Sequence, residues 1–132
     1  MTASSGIHWL RALLGGFLAE VSVIALVLPI ALLAGKNTLT YTAPAASLLA
    51  CFVFAIWVGR RLDSHFVLHG VLVGVAATLI YVALTRGAPE PPAYLIAHAL
   101  KLIGGASGGL VAARRRQTSL QPRPPAGETQ HS

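Results

Sequence analysis

The sequence predicts an all-α fold: a polytopic membrane protein built as a bundle of four transmembrane helices, with a disordered basic tail at its C-terminal end. Three observations carry that prediction. The 132 residues are 55% hydrophobic and only 11% charged, whereas a soluble domain has charges at about a quarter of its positions. The charges are also clustered, which leaves four apolar runs of the ~20 residues needed to cross a bilayer. Finally, each run is bounded by turn formers or arginines. The natural division is a membrane domain, 1–113, and a tail, 114–132. The net charge of +6 would suggest nucleic acid in a soluble protein. Here the basic residues sit where spans end, so they read as topology signals and no nucleic-acid partner is expected.

The first span is placed at about 9–34. A secretory signal peptide is disfavoured because the run is too long, Glu20 interrupts it and Leu32-Leu33-Ala34 is not a cleavage site. Pro29 should kink its outer end. Gly35-Lys36-Asn37-Thr38 reads as a turn, and the second span, about 41–59, has Pro44 in its first turn and ends at Trp57 and Arg60-Arg61. The short link to His65 predicts an antiparallel hairpin with the third span, about 66–85. Arg86 to Pro92 (RGAPEPP) reads as a stiff extended connection. The fourth span is placed at about 93–113, and the polar, proline-rich remainder is expected to be disordered. Spans one and three align faintly with Gly16 over Gly74, which leaves a duplicated hairpin open. The single cysteine, Cys51, lies in an apolar run and permits no intrachain disulfide.

Orientation follows from the basic residues. Arg11, Arg60, Arg61, Arg114, Arg115 and Arg116 fall on one side, against Lys36 and Arg86 on the other. The positive-inside rule then puts both termini in the cytoplasm, with the chain in the inner membrane. Trp9 and Trp57 would mark the inner interface, and Tyr41, Tyr81 and Tyr94 the outer one.

Two charges lie deep in the predicted spans. Glu20 is eleven residues from Trp9 and Lys101 twelve from Ala113, depths of ~16 and ~18 Å from the same face at the helical rise. First and last helices are neighbours in an up-down bundle, so a Glu20–Lys101 pair is geometrically reasonable, with a Lys101 that snorkels outward as the alternative. Left unpaired, each charge would cost ~3 kcal/mol on insertion scales. The pair reads as a register-fixing clamp or as a proton- or cation-exchanging site. His98, three residues before Lys101, could join the same polar network, or by itself serve as an outer-leaflet hydrogen-bonding residue.

Small residues form a second pattern. Gly104/Gly108 and Gly105/Gly109 are overlapping G-x-x-x-G pairs, and Gly70/Gly74 repeats the device on the third span. Such spacing lets backbones approach closely, either within one chain or between two copies, so a homodimer or another membrane-protein partner is weighed alongside internal packing. His65 and His69 lack the cysteine or carboxylate partners of a metal centre, so neither metal nor cofactor is expected. Arg60, Arg61 and Arg114 to Arg116 serve as topology signals or contacts to lipid headgroups.

The overall pattern resembles the small four-helix membrane proteins of bacteria. More locally, Leu14-Gly15-Gly16-Phe17-Leu18-Ala19-Glu20-Val21, Ala55-Ile56-Trp57 and Gly59-Arg60-Arg61-Leu62-Asp63 are similar to segments of the small multidrug resistance transporters. That resemblance implies Glu20 as a shared proton and cation site and Trp57 as a stacking residue. The two later segments are fused here at the end of one span, and Lys101 has no counterpart in that pattern. The functional expectation is a structural or accessory membrane component without catalytic activity. The alternative is a proton-coupled transporter of small solutes or cations using Glu20.

Overall fold

The computed structural model describes residues 8–121. Its elements are α1 (Trp9–Ala34), a 3-10 turn (Lys36–Thr38), α2 (Leu39–Gly59), α3 (Phe66–Thr85) and α4 (Pro92–Leu120). All four helices are long and apolar enough to cross a membrane. Their side chains are arranged inside out relative to a soluble bundle. The buried set is mainly small, with Ala12, Ala19, Ala43, Ala46, Cys51, Ala55, Ala76, Ala77, Ala97 and Ala112, while Trp9, Leu10, Leu33, Tyr41 and Leu95 are exposed. Large apolar groups outside and small ones inside suit a solvent as apolar as leucine, where close backbone packing replaces the hydrophobic drive.

Each helix end has a local cause. Gly35, at φ 88, takes the chain out of α1 through a conformation that L side chains rarely adopt. α2 starts two residues earlier than the sequence suggests, so Pro44 falls in its second turn. Between α2 and α3 the chain turns sharply at His65, which is left-handed at φ 55. Leu62 tucks its side chain under this hairpin against Val58 and Val73. α3 closes with Arg86 in the left-handed region, as Gly87 N–H donates to the Val82 carbonyl at 3.0 Å. Pro91, at φ −59 and ψ 149, is extended as expected, and Pro92 occupies the first turn of α4.

The end of α4 corrects the sequence reading. The helix does not stop at Ala113 but continues through Arg114–Leu120, so the first part of the expected disordered tail is helical. Arginine and glutamine are good helix formers, and Thr118 and Ser119 bond back to the carbonyls of Arg114 and Arg115 at 3.1 and 2.9 Å. The stop comes at Gln121, which is extended at φ −67, ψ 124, as expected for a residue before proline. The remaining tail, 122–132, lies outside the described residues.

Helix adjacency is a second correction. α4 packs on α2 and α3, and α1 packs on the same two helices from the opposite side. No Cα atoms of α1 and α4 come within 8 Å of each other. The first and last helices are therefore diagonal, not adjacent. A two-fold relation between hairpins would make the α2–α3 and α4–α1 contacts equivalent; the backbones of α2 and α3 approach within 8 Å while those of α1 and α4 do not, so the bundle lacks that symmetry.

The glycines explain why α4 is central. A Cβ on Gly104 or Gly108 would strike the α2 carbonyls of Leu48 or Phe52. On Gly105 or Gly109 it would strike the α3 carbonyls of Gly70 or Phe66. Gly70 and Gly74 meet the α4 backbone at Gly105 and Lys101. Both ladders are thus consumed inside one chain. The sequence pattern offered them equally to a second copy, but the faces that would have carried a glycine-mediated dimer are already occupied.

Candidate functional site

Each helix carries a buried stripe at helical spacing. On α1 it is Ala12, Gly16, Ala19/Glu20, Val23 and Val27; on α2, Ala43, Ser47, Cys51, Ala55 and Val58. On α4 it is Ala97, Lys101, Gly104/Gly105, Gly108/Gly109 and Ala112. Glu20 and Lys101 are members of these stripes, so their side chains point into the bundle because of register alone. The Lys101 ammonium donates to Glu20 Oε2 at 2.7 Å, with both side chains almost fully buried.

The pair forms across the diagonal. Two long side chains bridge the gap between α1 and α4, passing between helices whose facing residues are small: Ala19, Cys51 and Ala77 form one buried cluster there. Lys101 Nζ also stands 4.9 Å from the centroid of Tyr81, a distance at which a ring face attracts a cation. Carboxylate and aromatic face together enclose the ammonium.

Outward from the pair lies a partly open cavity of about 210 Å³. In its first half α1 packs on both α2 and α3, Gly15 lying against Val58 and Val73 and Gly16 against Ala76 and Ala77; further along, Val23 and Val27 pack on Ala43 and Ala46 of α2. The space opened beside α3 and α4 has Glu20 and Lys101 at its inner end, with Ser47, Tyr81, Tyr94 and His98 among its polar lining. Tyr81 and Tyr94 stack at 6.1 Å, and His98 meets Tyr81 edge-on at 5.1 Å.

Of the two readings of His98, the structure shows the hydrogen-bonding one. Its Nε2 pairs with Glu90 Oε2 at 3.0 Å, and it reaches Lys101 only through the Tyr81 ring. With Nε2–H donating to the carboxylate, Nδ1 is left as an acceptor, and that atom is buried without a partner. Tyr41 is strongly exposed, whereas Tyr81, near the end of α3, and Tyr94, near the start of α4, face the cavity. Tyr81 could have been found from spacing, since Gly70, Gly74, Ala77 and Tyr81 fall on one helix face. Ser47 likewise lies on the α2 stripe.

His69 has a role that sequence reasoning missed. Its Nδ1 bonds to the His65 carbonyl at 2.9 Å, and its Nε2 accepts the His8 backbone N–H at 3.0 Å. The first bond fixes the ring against its own helix, and the second pins the start of α1 to α3. Among the described residues no three His, Cys, Asp or Glu side chains gather as metal ligands. At the same end, Arg11 donates to the Arg61 carbonyl at 2.7 Å, Arg61 lies 5.9 Å from the Trp57 ring, and Arg116 pairs with Asp63 at 2.7 Å.

Comparison with family models, curated proteins and solved structures finds no match for this chain. The similarity to small multidrug resistance transporters stays confined to the short segments quoted above. At its centre the geometry departs from the implied site, because Glu20 is held by a lysine of its own chain.

Proposed function

We propose that this chain is a non-catalytic structural or accessory protein of the bacterial inner membrane, spanning it four times with both termini in the cytoplasm. The observation that carries the proposal is the 2.7 Å contact between two almost fully buried side chains, Glu20 and Lys101. Each charge satisfies the other, and Tyr81 completes the surroundings of the ammonium. Breaking such a pair leaves an uncompensated buried charge, a penalty of about 3–5 kcal/mol. A resting state of this kind favours a fixed register between diagonal helices over a carboxylate that is periodically free. The gathering of Arg11, Arg61 and Arg116 at one end supports the orientation.

The second reading, proton-coupled transport of a small solute, is favoured by the cavity that ends on the same pair. Proteoliposomes containing a pH-sensitive dye discriminate between them. The accessory reading predicts that an imposed proton gradient decays at the same rate with wild type and Glu20→Gln, with or without added small amines and acids. A solute-dependent proton flux abolished by Glu20→Gln would replace it with the transporter reading.

A further inference from the structure

At the opposite end of the bundle from the cavity, the unforeseen helical extension of α4 builds a groove with the end of α2. Its volume is about 270 Å³, and its basic lining comes from Arg60, Arg115 and Arg116. No acidic residue lines it; its apolar walls are Ile56, Ala112 and Leu120. Arg116 is partly engaged, since one of its nitrogens holds Asp63 at 2.7 Å from outside the groove. Among the described residues, the guanidinium groups of Arg60 and Arg115 take part in no ion pair, and both side chains are exposed. Three cations thus converge on one concavity, and among the described residues only Arg116 has a carboxylate partner.

We infer that this groove binds the phosphate of an anionic phospholipid. Guanidinium groups present planar, paired donors that match phosphate oxygens. The level is right: α2 ends here, beside Trp57, where a span meets the headgroup layer. The mixed lining separates a lipid from a free phosphate ion, because Ile56 and Leu120 offer apolar contact to the glycerol and first acyl carbons. This inference rests on the membrane reading and is independent of what Glu20 does. It also distinguishes among neighbouring arginines, since Arg114 does not line the groove.

The test is lipid titration of the purified full chain in mild detergent, followed by native mass spectrometry. The probes are phosphatidylglycerol, phosphatidylcholine and glycerol 3-phosphate. Removing one charge in the groove, by Arg60→Gln or Arg115→Gln, should lower phosphatidylglycerol affinity about fivefold, the factor equivalent to ~1 kcal/mol per basic residue. Arg114→Gln, the same charge change one residue away, should leave affinity within twofold, and phosphatidylcholine binding should be unaffected throughout. All three side chains are exposed, so the variants are expected to fold, and each is checked by its helical circular dichroism. Equal losses in all three variants, or no preference of the wild type for phosphatidylglycerol over phosphatidylcholine, would overturn the site. Glycerol 3-phosphate bound as tightly as the lipid would overturn its lipid character.

Discussion

At the residue scale, the protein turns on a few buried polar groups whose partners are specific. Lys101 and Glu20 form an ion pair inside a bundle that otherwise buries mostly alanine, glycine and valine. Their depth was legible in the sequence, because counting along two helices from the same face brought them level. Their partnership was anticipated for the wrong reason: it does not follow from adjacent helices but from two long side chains meeting across a diagonal lined by small ones. For His69 the sequence argues only against a metal centre, and nothing in its context announces that its Nε2 accepts the His8 amide 61 residues away. His69→Phe should therefore lose about 1–3 kcal/mol, the penalty of an unmade hydrogen bond at a buried polar group. Denaturant unfolding in detergent measures that loss, and amide exchange should show it concentrated in the first turns of α1. An unchanged unfolding midpoint would mean that the start of α1 is held by other contacts.

At the element scale, the glycines decide which helices touch. α4 presents Gly104 and Gly108 to α2 and Gly105 and Gly109 to α3, each against a backbone carbonyl. The ladders themselves were plain in the sequence. Their allocation was not, because a G-x-x-x-G pattern is equally good at bringing together two helices of one chain or of two. Gly105→Leu should cost at least about 1–3 kcal/mol, since neither backbone can give way without shifting a helix. Light scattering should show the same protein mass before and after the change, because these faces are internal; a fall from dimer to monomer would contradict the packing. The C-terminal end of α4 is where sequence reasoning stopped too soon. It used the loss of hydropathy as a helix boundary, but hydropathy reports the end of the membrane span, while the helix runs on to Leu120, two residues before Pro122. Spin labels at Gln117 and Ser119 should report helical mobility and periodicity, whereas uniform fast motion at both would contradict the extension.

At the scale of the whole molecule, four spans with basic residues gathered at one end predict a fixed orientation. Cysteines introduced at Asn37 and Asp63 in a Cys51→Ala background should react with an impermeant reagent from opposite sides of the membrane. Labelling of both from one side would break the topology. Fold class and three of the four helix starts were legible because hydropathy and turn residues act locally. The diagonal arrangement and the outer cavity were not, because they depend on how the helices pack on one another across long stretches of sequence. All three scales meet at Glu20 and Lys101, which chiefly satisfy each other and fix the bundle. A double-mutant cycle with Glu20→Gln, Lys101→Met and both together, read by unfolding in detergent, tests this most directly. The account predicts single-variant losses of about 3 kcal/mol or more, a double variant close to wild type, and a coupling well above ~1 kcal/mol. Additive losses with negligible coupling would contradict it, and Glu20 would then stand as a buried carboxylate without a structural partner.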